Sequence, residues 1–190
     1  MKKLALLFIS ILMLTSCSSV KNPTAVIETS MGKIEVEIFA NEVPEMAKNF
    51  MELAKAGKYD GVPFHRVIKE FMVQTGDFEK KNGTGGHSNK GSGTELAGEY
   101  GKKLSNVRGT LSYANRGPDT NGSQFFINLV DNTFLDHDKE PLSSKHPVFG
   151  KVIKGMQVVD SISKVEIGTN DRPKTEVLMT KVRVNESQKK

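Results

Sequence analysis

The sequence of 190 residues predicts one mainly β domain, arranged as an antiparallel barrel or sandwich. Short apolar or alternating runs separated by turn residues recur along the chain, and only two segments have helical spacing. The two helices do not alternate regularly with strands, which disfavours a parallel α/β sheet. Hydrophobic residues make up 37% of the chain and charged residues 26%, a composition that excludes a disordered protein. The sequence shows no internal repeat and no second domain.

The first predicted element of the domain is a β-hairpin. Residues 25–29 and 33–38 flank the turn Ser30-Met31-Gly32, and the second run alternates polar and apolar residues as a half-buried strand does. The clearest helix follows the hairpin. It begins at Pro44, which a first helical turn tolerates, and ends before Gly57, which suits a C-terminal cap.

Short strands and loops account for the rest of the domain. The predicted strands cover residues 64–68, 71–75, 109–114, 124–130, 148–152 and 176–184. A second, shorter helix is predicted over 156–163, and the glycine-rich stretch 83–101, with few apolar residues, predicts a long surface loop.

The first 16 residues have the features of an export signal. Lys2 and Lys3 precede an apolar run from Leu4 to Leu14, which is too short to be a permanent membrane span. The sequence Leu14-Thr15-Ser16-Cys17 resembles the bacterial lipoprotein signal, in which the cysteine receives lipid and becomes the new N-terminus. The alternative is a buried first helix with an ordinary core cysteine.

This resemblance implies four segments: a signal peptide over 1–16, a lipidated tether over 17–23, the folded domain over 24–186 and a polar tail over 187–190. It also implies that the protein is exported and held by lipid at Cys17 to a membrane of the bacterial cell envelope, on the periplasmic face of an outer membrane or at the cell surface. Because Cys17 is the sole cysteine, an internal disulfide and a four-cysteine zinc site are excluded.

Charge and motif searches exclude several other functions. After loss of Lys2 and Lys3, 25 basic residues face 22 acidic ones, and no concentrated basic face is visible, so we expect no nucleic-acid partner. We also expect a monomer. The glycine-rich loop lacks the lysine of a phosphate-binding motif, and the Gly-x-Ser-x-Gly motif of hydrolases is absent. The residues Asp136, His137 and Asp138 are adjacent in one predicted turn. A metal site needs ligands from several elements, so hydration of these side chains is favoured over metal binding. We therefore expect no cofactor and no metal.

Two stretches, residues 64–77 and 112–126, interleave charged, amide and apolar side chains at short range. A structural interpretation remains open for them. In it, Phe71, Met72, Phe125 and Phe126 fill the barrel, and Arg66 is an ordinary surface charge.

Together these stretches resemble the cyclophilin family of peptidyl-prolyl isomerases. The resemblance continues in Gly83-Thr84-Gly85-Gly86, in Phe134-Leu135-Asp136 and in the segment from Lys145 to Lys151. It implies a closed eight-stranded antiparallel barrel capped by two α-helices. It also implies an enzyme that rotates Xaa-Pro bonds, here in exported proteins, with proline-containing polypeptides as its partners.

The resemblance assigns a role to each matching position. It places the catalytic arginine at Arg66 and an orienting amide at Gln74. The residues that it implies for substrate binding are His65, Phe71, Met72, Gln74, Ala114, Asn115, Gln124, Phe126, Phe134, Leu135 and His146. The alternative function is a membrane-tethered lipoprotein that holds proline-containing segments without significant catalysis.

Four features depart from the family's usual pattern, one of which is the segment from His137 to Ser144, longer than the family's usual link. Phe134 stands where many eukaryotic relatives have tryptophan, and Lys69-Glu70 replaces a common Pro-Gly. Arg116 occupies a position that is often alanine, which predicts a preference for acidic residues upstream of the target proline.

Overall fold

The computed structural model describes residues 21–140 and 145–186, which form one antiparallel sheet and two α-helices. The predicted signal peptide, Cys17 and the polar tail lie outside the described residues. The strands are β1 (Thr24–Thr29), β2 (Gly32–Ile38), β3 (Val62–Pro63), β4 (Arg66–Ile68), β5 (Met72–Thr75), β6 (Thr110–Tyr113), β7 (Phe125–Asn128), β8 (Val148–Lys154) and β9 (Leu178–Asn185). The helices are α1 (Pro44–Lys55) and α2 (Met156–Ile162), and neither is long and apolar enough to cross a bilayer.

Nine strands form a single ladder in the order β3-β9-β1-β2-β8-β6-β7-β5-β4. The prediction of a closed eight-stranded barrel was wrong in strand number and in closure. The two edge strands, β3 and β4, follow each other in the chain with only Phe64 and His65 between them, and no strand pairing joins them in the described part of the chain. Pro63 has no N–H to continue a ladder.

A side chain bridges this seam where backbone pairing stops. The Thr75 hydroxyl of β5 donates a 2.9 Å hydrogen bond to the carbonyl oxygen of Pro63 in β3. The Phe64 N–H instead donates to the Val177 carbonyl beside β9. The Thr75 hydroxyl therefore connects β3, at one edge of the sheet, to β5, the strand next to β4 at the other edge.

Local sequence signals placed the hairpin and both helices correctly. In the hairpin, Thr29 pairs with Gly32 across the turn. Helix α1 begins at Pro44 and ends in two C-terminal capping bonds, from the Lys58 N–H to the Leu53 carbonyl and from the Gly57 N–H to the Ala54 carbonyl, both 3.0 Å long. Gly57 has φ +68, the left-handed conformation that this cap requires.

The hydrophobic core lies inside the curled sheet and under the helices. Strands β4 to β7 point alternate residues inward, and Val67, Val73, Leu111, Phe125 and Ile127 are completely buried there. Phe50 of α1 packs on this layer, with its ring centroid 5.5 Å from that of Phe125 in an edge-to-face arrangement. This packing fixes the inward face of the strands and so decides which residues face outward.

The two fully buried tyrosines of this core, Tyr59 and Tyr113, both donate their hydroxyls to backbone carbonyls. Tyr59 donates to the Ser123 carbonyl and Tyr113 to the Met46 carbonyl, each at 3.0 Å. Burial raises the pKa of both phenols, so both stay protonated and remain donors.

The outward face differs between the two halves of the sheet. On β1, β2 and β8 it is charged and ion-paired, as in Lys151 with Glu37 at 3.2 Å and Lys154 with Glu35 at 3.0 Å. On β5 and β7, by contrast, Met72 and Phe126 occupy outward positions. This apolar surface outside the barrel needs an explanation other than core packing.

Because the Thr75 hydroxyl connects β5 to the edge strand β3, we expect Thr75→Val to lower the free energy of unfolding by about 1–2 kcal/mol, the value of a buried hydrogen bond whose acceptor is left behind. Equilibrium unfolding in urea measures this change. Thr75→Ser keeps the hydroxyl and is the matched control. Equal stability of the valine and serine variants would contradict a bonding role for the hydroxyl.

Candidate active site

Strand register places Arg66 in one row with an amide and an aromatic ring on the outer face of the sheet. Arg66 of β4 lies directly opposite Gln74 of β5, which lies opposite Phe126 of β7. Residues directly opposite each other in an antiparallel sheet share a face, as do residues two apart in one strand. Ile68 and Met72 therefore face the same side as the Arg66 guanidinium.

An apolar cluster separate from the core lies beside this row. Its buried members are Met72, Phe126 and Leu135, with exposed fractions of 1%, 4% and 6%. Ile68, Phe71 and Ala114 pack against it and are partly buried. The interpretation that Met72 and Phe126 fill the barrel is wrong for these two residues, although it holds for Phe125, which belongs to the core.

An exposed aromatic pair forms the rim of the cluster. Phe134, in the 3-10 turn Thr133–Leu135, is 52% exposed, and its ring stacks on Phe71 with centroids 6.1 Å apart and an interplanar angle of 16°. Exposed phenyl rings beside a buried apolar floor offer a surface that a proline ring can cover.

Buried asparagines hold the cluster in place from behind, a feature that the sequence analysis missed. The Asn132 side chain donates to the Phe71 carbonyl at 2.9 Å and to the Asn128 side-chain oxygen at 2.8 Å. Asn128 in turn donates to the Thr110 hydroxyl at 2.9 Å. A polar residue at the end of the apolar run Phe125–Asn128 was the available signal, because a buried amide needs partners.

Asp136 anchors the same region rather than facing outward. Its carboxylate accepts hydrogen bonds from the Ser105 hydroxyl at 2.5 Å, from the Asn106 backbone N–H at 2.7 Å and from the Asn106 side chain at 2.9 Å. The Asn106 side chain also donates to the His146 carbonyl at 3.2 Å. This network fixes the segment that carries Leu135 and His146.

The Arg66 side chain is held from one side only. Its Nε lies 3.5 Å from the Asp171 Oδ2, and 44% of the Arg66 side chain is exposed. No other described residue makes an ion pair or hydrogen bond with the guanidinium, so its two terminal amino groups are free to meet a ligand. Asp171 and its neighbour Asn170 both have left-handed φ values, +58 and +59, a conformation that Asp and Asn tolerate best.

Gln74 and Gln124 form a hydrogen-bonded chain to the glycine-rich loop. The Gln74 amide donates to the Gln124 side-chain oxygen at 2.9 Å, and Gln124 donates to the carbonyls of Gly83 and Gly85 at 3.0 and 2.8 Å. The two predicted glutamines therefore act as one unit that ties the loop to the residue opposite Arg66.

A buried carboxylate shapes this loop. Asp77 accepts backbone N–H bonds from Lys80, Asn82, Gly83 and Gly85, with distances between 2.8 and 3.1 Å. Burial by itself raises the pKa of Asp77, but these four donors outweigh it and hold the pKa below its ordinary value. The charged carboxylate thus organises the loop at neutral pH.

The two predicted histidines occupy different places. His65 is buried beneath the glycine loop, where a Cβ on Gly83 would lie 2.9 Å from its ring, and neither ring nitrogen has a hydrogen-bond partner among the described residues. Burial lowers the pKa of His65 from 6.5 to about 4.

His146 touches the apolar cluster itself. Its ring meets Phe126 edge to face with centroids 5.5 Å apart, and its Nδ1–H donates to the Tyr113 carbonyl at 3.0 Å. Burial lowers its pKa, so like His65 it is neutral near pH 7.

Ala114 and Asn115 line a groove beside the row. This first groove has a volume of about 570 Å³, and its walls include Gln74, Thr84, Glu95, Ala114, Asn115 and Arg116. The Ala114 N–H donates to the Gln124 carbonyl at 3.0 Å, and the Asn115 amide donates to Asn121 and to the Lys145 carbonyl. The Arg116 guanidinium forms an ion pair with Glu95, which offsets its charge.

All twelve predicted site residues within the described part of the chain thus converge on one side of the sheet, with His65 beneath the surface and the others on the row, the cluster or the groove. The cyclophilin-type peptidyl-prolyl cis-trans isomerase family model matches residues 24–184. The chain belongs to the cyclophilin family. It is a peptidyl-prolyl cis-trans isomerase, and the first 23 residues lie outside the family match.

Named relatives and solved structures agree with this assignment. Peptidyl-prolyl cis-trans isomerase CYP18-2 of Arabidopsis thaliana is 40% identical over 163 residues, which cover 85% of this chain and 93% of that protein. Human peptidyl-prolyl cis-trans isomerase-like 1 is 42% identical over 159 residues, covering 84% and 90% of the two chains.

A crystal structure of a cyclophilin-type isomerase from Cryptosporidium parvum superposes with a TM-score of 0.77 at 30% identity, covering 86% of this chain and 98% of that one. A second structure of that protein, determined in the presence of the dipeptide Ala-Pro, gives a TM-score of 0.76 at 30% identity. It covers 85% of this chain and 98% of the other.

Because His65 is neutral in the folded cyclophilin and protonates readily when unfolded, we expect it to destabilise the fold in acid. As the pH falls from 6.5 to 4, His65 binds a proton in the unfolded chain but stays unprotonated in the folded protein. The free energy of unfolding should therefore decrease over this range, by about 3 kcal/mol for this group. We expect His65→Gln to flatten this part of the pH profile, measured by urea unfolding from pH 7 to pH 4.

The control for this experiment is His137→Gln, which removes a histidine that stacks on Tyr100 and keeps His65. The measured quantity is the change in the free energy of unfolding per pH unit. This slope is unaffected when a substitution lowers stability equally at every pH. An unchanged slope in His65→Gln would contradict the lowered pKa of His65 in the folded protein.

Proposed function

We propose that this cyclophilin isomerises Xaa-Pro bonds of exported proteins beside a membrane of the bacterial cell envelope, with Arg66 as the catalytic residue. The observation that supports the catalytic assignment is the position of the guanidinium. It stands on the outer face of the sheet, in the same row as Gln74 and Phe126 and beside a buried apolar floor.

The chemistry explains why such an arrangement is useful. A peptide bond resists rotation with a barrier of about 18–20 kcal/mol because the nitrogen shares its lone pair with the carbonyl. At the twisted transition state the pair returns to the proline nitrogen, which then becomes a better hydrogen-bond acceptor. A donor aimed at that nitrogen stabilises the twisted state more than either planar isomer.

Arg66 can supply this donor. Asp171 engages the Nε side of its guanidinium, and the terminal amino groups remain for the substrate. Arginine stays protonated and offers a rigid fork of donors. A rate gain of about 10⁵ requires about 7 kcal/mol, which one preorganised charged donor and good orientation can provide.

The apolar cluster would hold the proline ring while the preceding carbonyl turns. Met72, Phe126 and Leu135 form its floor, and Phe71 with Phe134 forms its rim. Covering the floor with substrate removes water and strengthens the contact with Arg66. Neither neutral histidine has to transfer a proton, because rotation breaks no bond to hydrogen.

Loss of the donor should impair catalysis without unfolding the protein, because the Arg66 side chain is half-exposed and is paired only with Asp171 among the described residues. We expect Arg66→Ala to lower kcat/KM by about two to three orders of magnitude, as removal of one preorganised donor does. A protease-coupled assay with a proline peptide measures this. Arg183→Ala, which removes an exposed arginine paired with Glu28 on β1, is the control and should keep normal activity.

Undiminished activity in Arg66→Ala would refute the catalytic role. NMR exchange spectroscopy on a proline peptide adds a direct comparison with the tethered binding protein considered above. A binding protein shifts the peptide resonances without raising the exchange rate between isomers, whereas the isomerase raises it at substoichiometric concentration.

The export and lipid anchor rest on the N-terminal sequence. Lys2 and Lys3, the apolar run and the segment ending at Cys17 are the features of a lipoprotein signal. The seven residues after Cys17 span at most about 25 Å when extended, so a lipid on Cys17 would keep the site close to the membrane surface. Several acyl chains anchor a protein stably where one does not.

We expect Cys17→Ala to abolish incorporation of radiolabelled palmitate when the full chain is made in a Gram-negative host. The protein should then move from the membrane pellet to the soluble fraction. Ser18→Ala keeps the cysteine and is the matched control. If Cys17→Ala still sediments with membranes and carries label, the lipoprotein assignment is wrong, while the isomerase activity can be measured independently on either variant.

A further inference from the structure

A second groove lies beside the active site and is not used by the mechanism above. It has a volume of about 540 Å³, and its walls are Ile68, Lys69, the segment 164–167 and Asp171. None of these residues lines the first groove. The second groove is therefore a separate depression next to Arg66, bounded by the β4–β5 turn and by the chain that follows α2.

The two grooves are continuous with opposite sides of the apolar cluster. Ala114 belongs to the cluster and to the first groove, whereas Ile68 belongs to the cluster and to the second. In the sheet order β6-β7-β5-β4, Ala114 follows β6 and Ile68 is in β4, so Phe126 and Met72 lie between them. A chain seated over the cluster thus has one groove on each side.

The spacing of the grooves corresponds to a short peptide. Neighbouring strands are about 4.8 Å apart, so the three intervals from β6 to β4 span about 14 Å. An extended chain advances about 3.3–3.6 Å per residue, and about four residues cover that distance. With proline over the cluster, each groove meets the side chain about two residues away.

The charges of the second groove favour a carboxylate. Its own acidic residues are already engaged, because Glu166 pairs with Lys174 and Asp171 pairs with Arg66. Lys69 and Lys164 are exposed and make no ion pair with any other residue in 21–140 and 145–186.

The floor of the second groove is apolar. Ile68, Val165 and Ile167 are partly buried there. The groove therefore presents two unpaired ammonium groups above a partly apolar floor.

We propose that the second groove binds the flank of the substrate on the side of the proline away from Arg116, and that Lys69 and Lys164 select an acidic residue about two positions from the proline. This inference rests on the proposed function, because the cluster must hold the proline. It predicts that an acidic residue gains more affinity at the second groove than at the first groove, because Glu95 already pairs with Arg116 in the first groove.

The test uses a set of peptides with one central proline in which Asp or Ala occupies each position from three before to three after the proline. Binding is measured by NMR titration and kcat/KM by exchange spectroscopy, with the unsubstituted full chain, the double variant Lys69→Gln/Lys164→Gln and the variant Lys181→Gln. Lys181 pairs with Asp60 away from both grooves and is the matched control for loss of a lysine.

We expect Asp to tighten binding about two- to fivefold over Ala at one position on one side of the proline, the size of an exposed ion pair. The Asp-to-Ala ratio should fall to about one in the double variant and persist in Lys181→Gln. Arg116→Ala should change the ratio only on the opposite side.

The proposal is overturned if Asp gives no gain on that side, if the gain survives in the double variant, or if Arg116→Ala abolishes it. Failure of the proposed function has a different signature: no enhancement of exchange in the all-alanine proline peptide, whatever the binding ratios show.

Discussion

The site depends on one constraint, the register that places Arg66 opposite Gln74 and Gln74 opposite Phe126. The inward residues of the same strands, such as Val67, Val73 and Phe125, are buried in the core, so a shift by one residue would expose them and turn Arg66 inward. The hydrophobic effect that folds the barrel therefore also fixes the outer face. Arg66 is therefore positioned by the packing of its neighbours, and its own side chain makes few contacts.

Met72 and Phe126 are the unusual part of this arrangement, because they are apolar and point away from the core. They are nonetheless buried, since the turn bearing Leu135 and the segment bearing His146 cover their edges. A network of asparagines with Asp136 holds those segments in place. Buried amides with several partners are rigid, and so the outer cluster is already shaped before a ligand arrives. On the opposite flank, Asp77 and Gln124 do the same for the glycine loop.

Local signals made the hairpin, both helices and most strands predictable, because turn residues, capping residues and alternation act over a few positions. The candidate site residues were predicted from long motifs, and the structure brings them together on one side of the sheet. The open seam of the sheet was not predictable: it depends on β3, which is only two residues long, and on the side-chain hydrogen bond from Thr75 to Pro63 that stands there in place of backbone pairing. The partners of the site residues were missed for a similar reason. Asp171 reaches Arg66, and Glu95 reaches Arg116, across long stretches of sequence whose pairing no local pattern encodes.

The exposure of the charges around the site fits the demands of this reaction. Rotation about an Xaa-Pro bond swings one flank of the substrate relative to the other, so tight directional bonds to both flanks would oppose the turn. Contacts that hold substrate and transition state equally also add nothing to the chemical step. Exposed lysines attract a carboxylate weakly and without strict geometry. Because the lysine side chain is flexible, the attraction can persist while the substrate chain rotates. In the proposed mechanism, strong and oriented contacts are needed only where the twisted bond would lie, at Arg66 and the apolar cluster. Weak selection by flexible charges at the two grooves and catalysis by a rigid centre would therefore be compatible in one site.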